Sequence, residues 1–399
     1  GSRCQGARQP ADSGLAKRHD IGQGAILTVR DLVQSRLRGQ SKVMTRPVSN
    51  RPKFKREGFA IMKTWKILVV AATAALLAGT ASAGTLDDIK ARGHVLCGVG
   101  TGLPGFESPN DKGEWSGLDV DVCRALAAGI FGDPQKVKFS TSTAKTRFPQ
   151  LQSGEIDLLS RTTTWTFDRD VKLGFEFTGV NYYDGQGFMV RKDLGVMNGL
   201  GLDGASVCVV TGTTTELNLG DYFRSNNMKY TPVVYEKPDE VRPAYEAGRC
   251  DVWTTDSSGL AAQKSTLAKP GAHMILPTII SKEPLGPVVR HGDNQWGDVV
   301  RWSLNVMIIA EEIGVTSKNV DQLKGSSKNP EIKRLLGVEG EYGARLGLPN
   351  DWAYNIIKMV GNYGESYARN VGTNTPLGLP RGLNQLWTKG GILYAPPFR

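Results

Sequence analysis

The sequence predicts a two-lobed α/β protein on three observations. Over residues 94–160, strand and helix patterns alternate in β-α-β-α-β order, which implies parallel strands joined by right-handed crossovers. The same order begins again at residue 206 and ends near 256. From Gly84 to the end lie about 316 residues, enough for two packed lobes with separate cores.

In the first half, His94–Gly100 reads as a strand and Asp119–Ile130 as an amphipathic helix, with Val120, Val122, Leu126, Ala127 and Ile130 on one face. Val137–Ser140 is the next strand, and Arg147–Gln152 a short helix closed by Ser153-Gly154. Ile156–Ser160 is a buried strand. In the second half, Ser206–Val210, Thr231–Tyr235 and Asp251–Thr255 read as strands, and Gly212–Phe223 and Asp239–Ala247 as helices. The chain returns at Pro287–Arg290, followed by an apolar helix over Trp302–Ile313 and helical patches at Trp352–Val360 and Gly382–Trp387.

Three strand ends carry chemistry. Ser160–Asp170 places Thr162, Thr163, Thr164 and Thr166 ahead of Arg169. A guanidinium matches a carboxylate in shape and charge, and threonine hydroxyls add short neutral hydrogen bonds. The competing reading is a solvated loop. Gly212–Glu216 opens a helix with Thr213 and Thr214, whose free N–H groups would attract an anion; Thr213 and Glu216 also have the spacing of a capping box. Asp256 ends a strand at the edge where α/β sheets bind ligands, placed for an ammonium or, alternatively, as the N-cap of Ser257–Lys264. Gly100-Thr101-Gly102-Leu103-Pro104-Gly105 matches a dinucleotide fingerprint, but Pro104, Pro109, Gly113 and Gly117 keep the chain irregular until Asp119, so a ligand-facing loop is expected.

Enzyme signatures are thin. His94, His273 and His291 are scattered, with no His-Glu-x-x-His and no Gly-x-Ser-x-Gly, so no metal site, cofactor or histidine-based triad is expected.

Met62-Lys63-Thr64-Trp65-Lys66, the apolar run Ile67–Ala78 and the ending Ala81-Ser82-Ala83 read as a cleavable export signal over 62–83. Residues 1–61 are then expected to be a non-native upstream extension. The formal charge of +10 comes from 49 basic and 39 acidic residues, of which 15 and 4 lie in 1–83. The remaining 34 and 35 nearly cancel, so no nucleic-acid partner is implied. Beyond Gly84 the cysteines are Cys97, Cys123, Cys208 and Cys250, an even number that in an exported chain favours disulfides. One bridge per half, Cys97–Cys123 and Cys208–Cys250, is the expected pairing, with buried free thiols as the alternative.

The chain from Gly84 to Arg399 resembles the periplasmic solute-binding proteins of polar amino-acid ABC transporters, and within them the general L-amino-acid branch. Gly117–Val122, Leu151–Asp157, the threonine cluster with Arg169, and Gly212-Thr213-Thr214 carry the match. Tyr182–Phe188, Ser281–Pro287 and the ending Leu393–Arg399 are similar to that branch in particular. The resemblance implies the type II periplasmic-binding-protein fold, in which each lobe is a mostly parallel sheet flanked by helices and two crossovers form a hinge. It implies lobe 1 over 84–188, lobe 2 over 189–285, and a return to lobe 1 with a tail over 286–399. It further implies a periplasmic monomer of a Gram-negative bacterium that captures L-amino acids and delivers them to an inner-membrane permease. Arg169, Thr162, Thr164, Thr213 and Thr214 would hold the ligand carboxylate, and Asp256 its ammonium. Relatives preferring basic side chains stack them between aromatics, whereas Thr143-Ala144-Lys145-Thr146 has none, which implies broad specificity. The alternative is an exported dehydratase-like enzyme on the same fold.

Overall fold

Two five-stranded sheets built to one plan dominate the computed structural model, which describes residues 84–399. The expectations for residues 1–61 and for the export signal at 62–83 lie outside the described residues.

Helix α1 (Thr85–Arg92) leads into β1 (Val95–Val99), a hairpin of β2 (Ser108–Pro109) and β3 (Trp115–Ser116), and α2 (Leu118–Phe131). Then come β4 (Val137–Thr141), α3 (Arg147–Gln152), β5 (Leu158–Leu159), β6 (Phe175–Phe177) and β7 (Tyr182–Asp184). The second half follows as β8 (Gln186–Arg191), β9 (Ser206–Val210), α4 (Thr214–Ser225), β10 (Thr231–Tyr235), α5 (Pro238–Glu246), β11 (Val252–Asp256), α6 (Ser257–Ser265) and β12 (His273–Ile275). The chain returns through β13 (Glu283–Leu285) and β14 (Val288–Arg290) to α7 (Asn294–Glu312). Helices α8 (Val320–Ser326), α9 (Pro330–Leu335), α10 (Tyr342–Leu346), α11 (Trp352–Met359) and α12 (Tyr363–Asn370) complete the first lobe.

The first sheet runs β4-β1-β5-β14-β6 and the second β10-β9-β11-β8-β12. In each, a parallel trio centred on the lobe's own first βαβ strand is extended by antiparallel strands. The crossings between lobes pair with each other: β7 and β13 form a two-stranded antiparallel ladder with Glu283 opposite Asp184. Gly286 follows this ladder because a Cβ there would lie 1.9 Å from the Gly179 carbonyl oxygen. No larger residue could sit so close to backbone.

Helix α2 is buried along most of its length and packs on α7 and α11, with Trp296 and Trp352 each fully buried. Its Asp121 accepts hydrogen bonds from Ser366, Arg369 and Asn370, which ties α12 to the first lobe. Phe398 packs into the same core against the rings of Trp302, Tyr342 and Trp352. The C-terminal tail is thus core.

Helix α7 begins at Asn294, eight residues before the expected start at Trp302. The Asp293 carboxylate accepts the Trp296 N–H at 3.0 Å, and Trp296, Val299 and Val300 are buried, so a cap hidden among polar residues sets the start. The helical patch expected at Gly382–Trp387 is instead two short 3₁₀ turns, Gly382–Asn384 and Trp387–Lys389. At the end of the first, Asn384 accepts the N–H of Tyr183 and donates to its carbonyl, beside β7.

Both disulfides form as expected, Cys97–Cys123 joining β1 to α2 and Cys208–Cys250 joining β9 to the turn before β11. With sequence separations of 26 and 42 residues, chain entropy assigns about 3–4 kcal/mol to each. Reduction with dithiothreitol is therefore expected to lower the thermal midpoint by several degrees, and Cys208→Ser with Cys250→Ser should reproduce the second lobe's share. An unchanged midpoint on full reduction would contradict this. Among the described residues no helix is long and apolar enough to cross a membrane.

Candidate functional site

The parallel strands of both lobes point their C-terminal ends at one cavity. Gly100 and Thr101 follow β1, the threonine cluster follows β5, Val210 ends β9, and Asp256 ends β11, all at its wall or beside it. The lobes meet across it where Thr164 Oγ1 lies 3.3 Å from Thr214 Oγ1, and where Lys145 pairs with Glu236 at 3.2 Å. The second contact is exposed and adds little to closure.

The threonine cluster is a rigid part of this wall. Thr162 sits at φ 37°, in the left-handed region, a conformation that costs on the order of 1–3 kcal/mol in a β-branched residue. Asp119, buried on α2, holds it there by accepting the Thr162 N–H at 2.7 Å while also accepting from Asn181 at 2.7 Å. The following residues are bonded to the hinge: the Trp165 N–H donates to Pro284 and the Gly286 N–H to Thr163. Thr162 and Thr164 line the cavity.

Arg169 stands behind that wall rather than in it. It lies in a single π-helical turn, Asp168–Lys172, with its guanidinium donating to the Thr164 carbonyl at 2.7 Å and lying 5.3 Å from the centre of the Phe148 ring. Burial lowers its pKa to about 10, opposed by the nearby carboxylates of Glu283 and Asp256.

In the second lobe, Thr213 and Thr214 also line the cavity. Thr213 caps α4: its hydroxyl accepts the Glu216 N–H at 3.1 Å and donates to the Val210 carbonyl at 2.7 Å. Its hydroxyl is therefore engaged within the chain. The Thr214 and Thr215 N–H groups of the first turn, which no helix can satisfy itself, remain at the cavity wall. Thr214 donates to Glu283 at 2.9 Å.

Asp256 is freed by a substitution of roles. It occupies the N-cap position of α6, yet its side chain makes no cap hydrogen bond. Asp184, at the end of β7, takes that duty by accepting the Ser258 N–H at 3.2 Å together with the Ser258 hydroxyl. The Asp256 carboxylate consequently faces the cavity. Burial, with Asp184 and Glu283 nearby, pushes its pKa well above the usual carboxylate range, while Arg147 and Arg169 oppose this.

Three further charged residues line the cavity and had no signal in the sequence reading: Glu107, Arg147 and Arg161. Arg147 opens the short helix α3 and has one hydrogen bond, a long 3.4 Å contact to Thr163 Oγ1, while its Nε atom has no partner among the described residues. Burial, and the neighbouring Arg169 and Arg161, lower its pKa well below the usual value. Arg161 Nε and Glu107 Oε2 also have no partner among the described residues. The wall thus offers buried guanidinium donors without fixed acceptors, together with a carboxylate on the opposite lobe. Such a site is complementary to a small zwitterion carrying further polar groups. Among the described residues no group of three or more His, Cys, Asp or Glu is placed to hold a metal ion.

The model of the bacterial extracellular solute-binding proteins, family 3, matches residues 95–319. The chain is 59% identical over 339 residues to the general L-amino acid-binding periplasmic protein AapJ of Rhizobium johnstonii, covering 84% of this chain and 99% of that one. It is 56% identical to the glutamate/glutamine/aspartate/asparagine-binding protein BztA of Rhodobacter capsulatus, covering 82% and 97%. A solved ABC-transporter periplasmic binding protein from Brucella ovis, with glutathione bound, superposes with a TM-score of 0.78 at 58% identity, covering 79% of this chain and all of that one. These relatives are named as binding proteins, not enzymes. The chain belongs to family 3 of the bacterial extracellular solute-binding proteins.

Proposed function

We propose that this protein is the periplasmic substrate-binding component of an ABC importer, capturing L-amino acids with broad specificity and delivering them to an inner-membrane permease. The observation that carries the reading is Asp256: a cavity-facing carboxylate relieved of helix capping by Asp184, opposite guanidinium groups on the other lobe. The ligand ammonium pairs with Asp256. The ligand carboxylate takes the hydroxyls of Thr162 and Thr164 and the first-turn N–H groups of Thr214 and Thr215 that the Thr213 cap leaves free, with the Arg169 charge directly behind, while the Thr214 hydroxyl stays on Glu283. Arg147 and Arg161 then receive a polar side-chain end.

The names of the relatives support this assignment, since AapJ is a general L-amino-acid binder and BztA binds acidic residues and their amides. The glutathione in the Brucella ovis protein agrees as well. Its γ-glutamyl end carries a free α-ammonium and α-carboxylate, and its remainder requires room for polar groups. Ligand contacts from both lobes favour the closed state, which is the state a permease would read. In the same reading residues 62–83 direct export, lobe 2 spans 189–285 between the two parts of lobe 1 (84–188 and 286–399), and the mature chain works as a monomer in the periplasm of a Gram-negative bacterium.

Isothermal titration against the twenty L-amino acids and glutathione tests the proposal. Several amino acids are expected to bind, and Arg169→Ala should abolish their binding. A panel without heat from any amino acid would overturn it.

A further inference from the structure

Three carboxylates from separate elements meet where the hinge joins the cleft. Asp184 ends β7 and Glu283 begins β13, directly opposite each other in the hinge ladder. Asp256 ends β11, and the chain just beyond it is bonded to the hinge twice, through Ser257 N–H to the Gly185 carbonyl and through Ser258 to Asp184. Glu283 is 1% exposed.

Their hydrogen bonds divide them into two kinds. Asp184 accepts from the Gly185 N–H, the Ser258 N–H and the Ser258 hydroxyl. Glu283 accepts from the Thr214 hydroxyl, the Asn218 amide and the Ser281 hydroxyl. For Asp184 these donors favour the charged form, against burial, which raises its pKa. Asp256, at the cavity wall, makes no side-chain cap bond and lies beside those two anions. The charged groups facing it are Asp184 from β7, Glu283 from β13, Arg147 from α3 and Arg169 from the π-helical turn.

Resting on the amino-acid reading above, we propose that Asp184 and Glu283 are positioning residues which, through Asp256, make ligand capture proton-linked. The proton that Asp256 holds in the empty cleft leaves when the ligand ammonium takes its place. Neither hinge residue needs to touch the ligand. Each acts by placing a carboxylate beside Asp256, which accepts no cap hydrogen bond, and so raises the Asp256 pKa in the empty cleft.

The sign follows from linkage. Burial and the two neighbouring anions raise the Asp256 pKa in the empty protein, and an ammonium beside it lowers that pKa again. The bound state therefore carries fewer protons than the empty state, and binding strengthens as pH rises until Asp256 is ionised without ligand. Below that point, affinity falls by about tenfold per pH unit. The empty protein runs the other way: its folded form binds the proton more tightly than its unfolded form, so its stability declines as pH rises from the ordinary carboxylate range to the raised value. Asp184, itself pushed up to about 6 chiefly by burial, broadens the transition. Glu107 is another cavity-lining acid with a raised pKa, owing to burial and then Asp119, but its charged neighbours are Asp119, Arg161 and Arg147 rather than the hinge pair.

The test is titration calorimetry with L-glutamine, which has no titrating side chain, from about pH 5 to about pH 8.5 in buffers of contrasting ionisation enthalpy. The wild type is expected to release about one proton on binding near the inflection and to lose affinity on its acid side. Asp184→Asn should move the inflection down by about one pH unit, because one of the anions facing Asp256 is gone. Glu283→Gln should move it in the same direction and stands in should the first variant fold poorly. A Kd independent of pH with buffer-independent heats overturns the proposal, as do variant profiles that overlay the wild type, which would place the titrating group at Glu107 instead. If no amino acid binds at any pH, the amino-acid reading itself is what has failed.

Discussion

Asp256→Asn is expected to lower amino-acid affinity by roughly 30- to 5,000-fold, the effect of removing one partner from a buried charge pair worth about 2–5 kcal/mol. The substitution keeps shape and removes only the charge that meets the ligand ammonium. The fold should tolerate it, because α6 is capped by Asp184 and Asp256 makes no cap bond of its own. The empty variant should melt at or slightly above the wild-type temperature, since a buried acid whose pKa is raised destabilises the folded state once ionised. Calorimetry paired with thermal denaturation checks both halves. Retained affinity, or a large fall in melting temperature, would show that Asp256 is structural.

Arg147→Met should separate ligands by side chain. Arg147 is 3% exposed and has a single long hydrogen bond. Exchanging a buried cation so poorly satisfied for an apolar residue of similar length is expected to leave stability unchanged or raised. Affinity for L-glutamate should fall by about 100-fold, in line with the loss of a charge-assisted hydrogen bond of about 1.5–3 kcal/mol, whereas L-alanine should change by only a few-fold. Competition titrations with the two ligands give the ratio directly. An equal loss for both would place Arg147 on the α-carboxylate, and no loss for either would remove it from the site.

Much of the framework could be read from the chain alone. Ser206–Val210 and Thr231–Tyr235 are strands with those same ends, and Arg147–Gln152 is the short helix expected. These segments are bounded by local signals, such as Ser153-Gly154, that a short window of the sequence displays. The start of α7 is not readable in this way, because the deciding contact is a single carboxylate, Asp293, nine residues ahead of the apolar run. Helices α1, α8, α9, α10 and α12 carry no such apolar run. They are short, and their stability comes from packing on the first lobe rather than from a strong pattern of their own.

The site divides along the same line. The threonine cluster, the capped start of α4 and Asp256 could be marked as candidates because each follows a strand, and strand ends of parallel sheets face a common edge. Glu107, Arg147 and Arg161 could not, since an isolated charged residue has no periodicity to distinguish a solvated face from a cavity wall. Arg161 precedes the threonines, but its direction depends on the left-handed Thr162 backbone, which Asp119 holds from another element.

The sequence by itself therefore determined the order of elements, the parallel sheets and the residue types available at their ends, because these rest on local periodicity and turn chemistry. Only the tertiary structure decided which of them face the cavity. Two acids, 72 positions apart in sequence, compete for one helix end. Asp184 fills it across the hinge, so that Asp256 is left without a cap hydrogen bond at the cavity wall. Likewise Arg169 is held behind Thr164 while Arg147 is exposed to the cavity. A hydrogen-bond acceptor can serve only the donors within its reach, and which donors those are is a property of the folded chain.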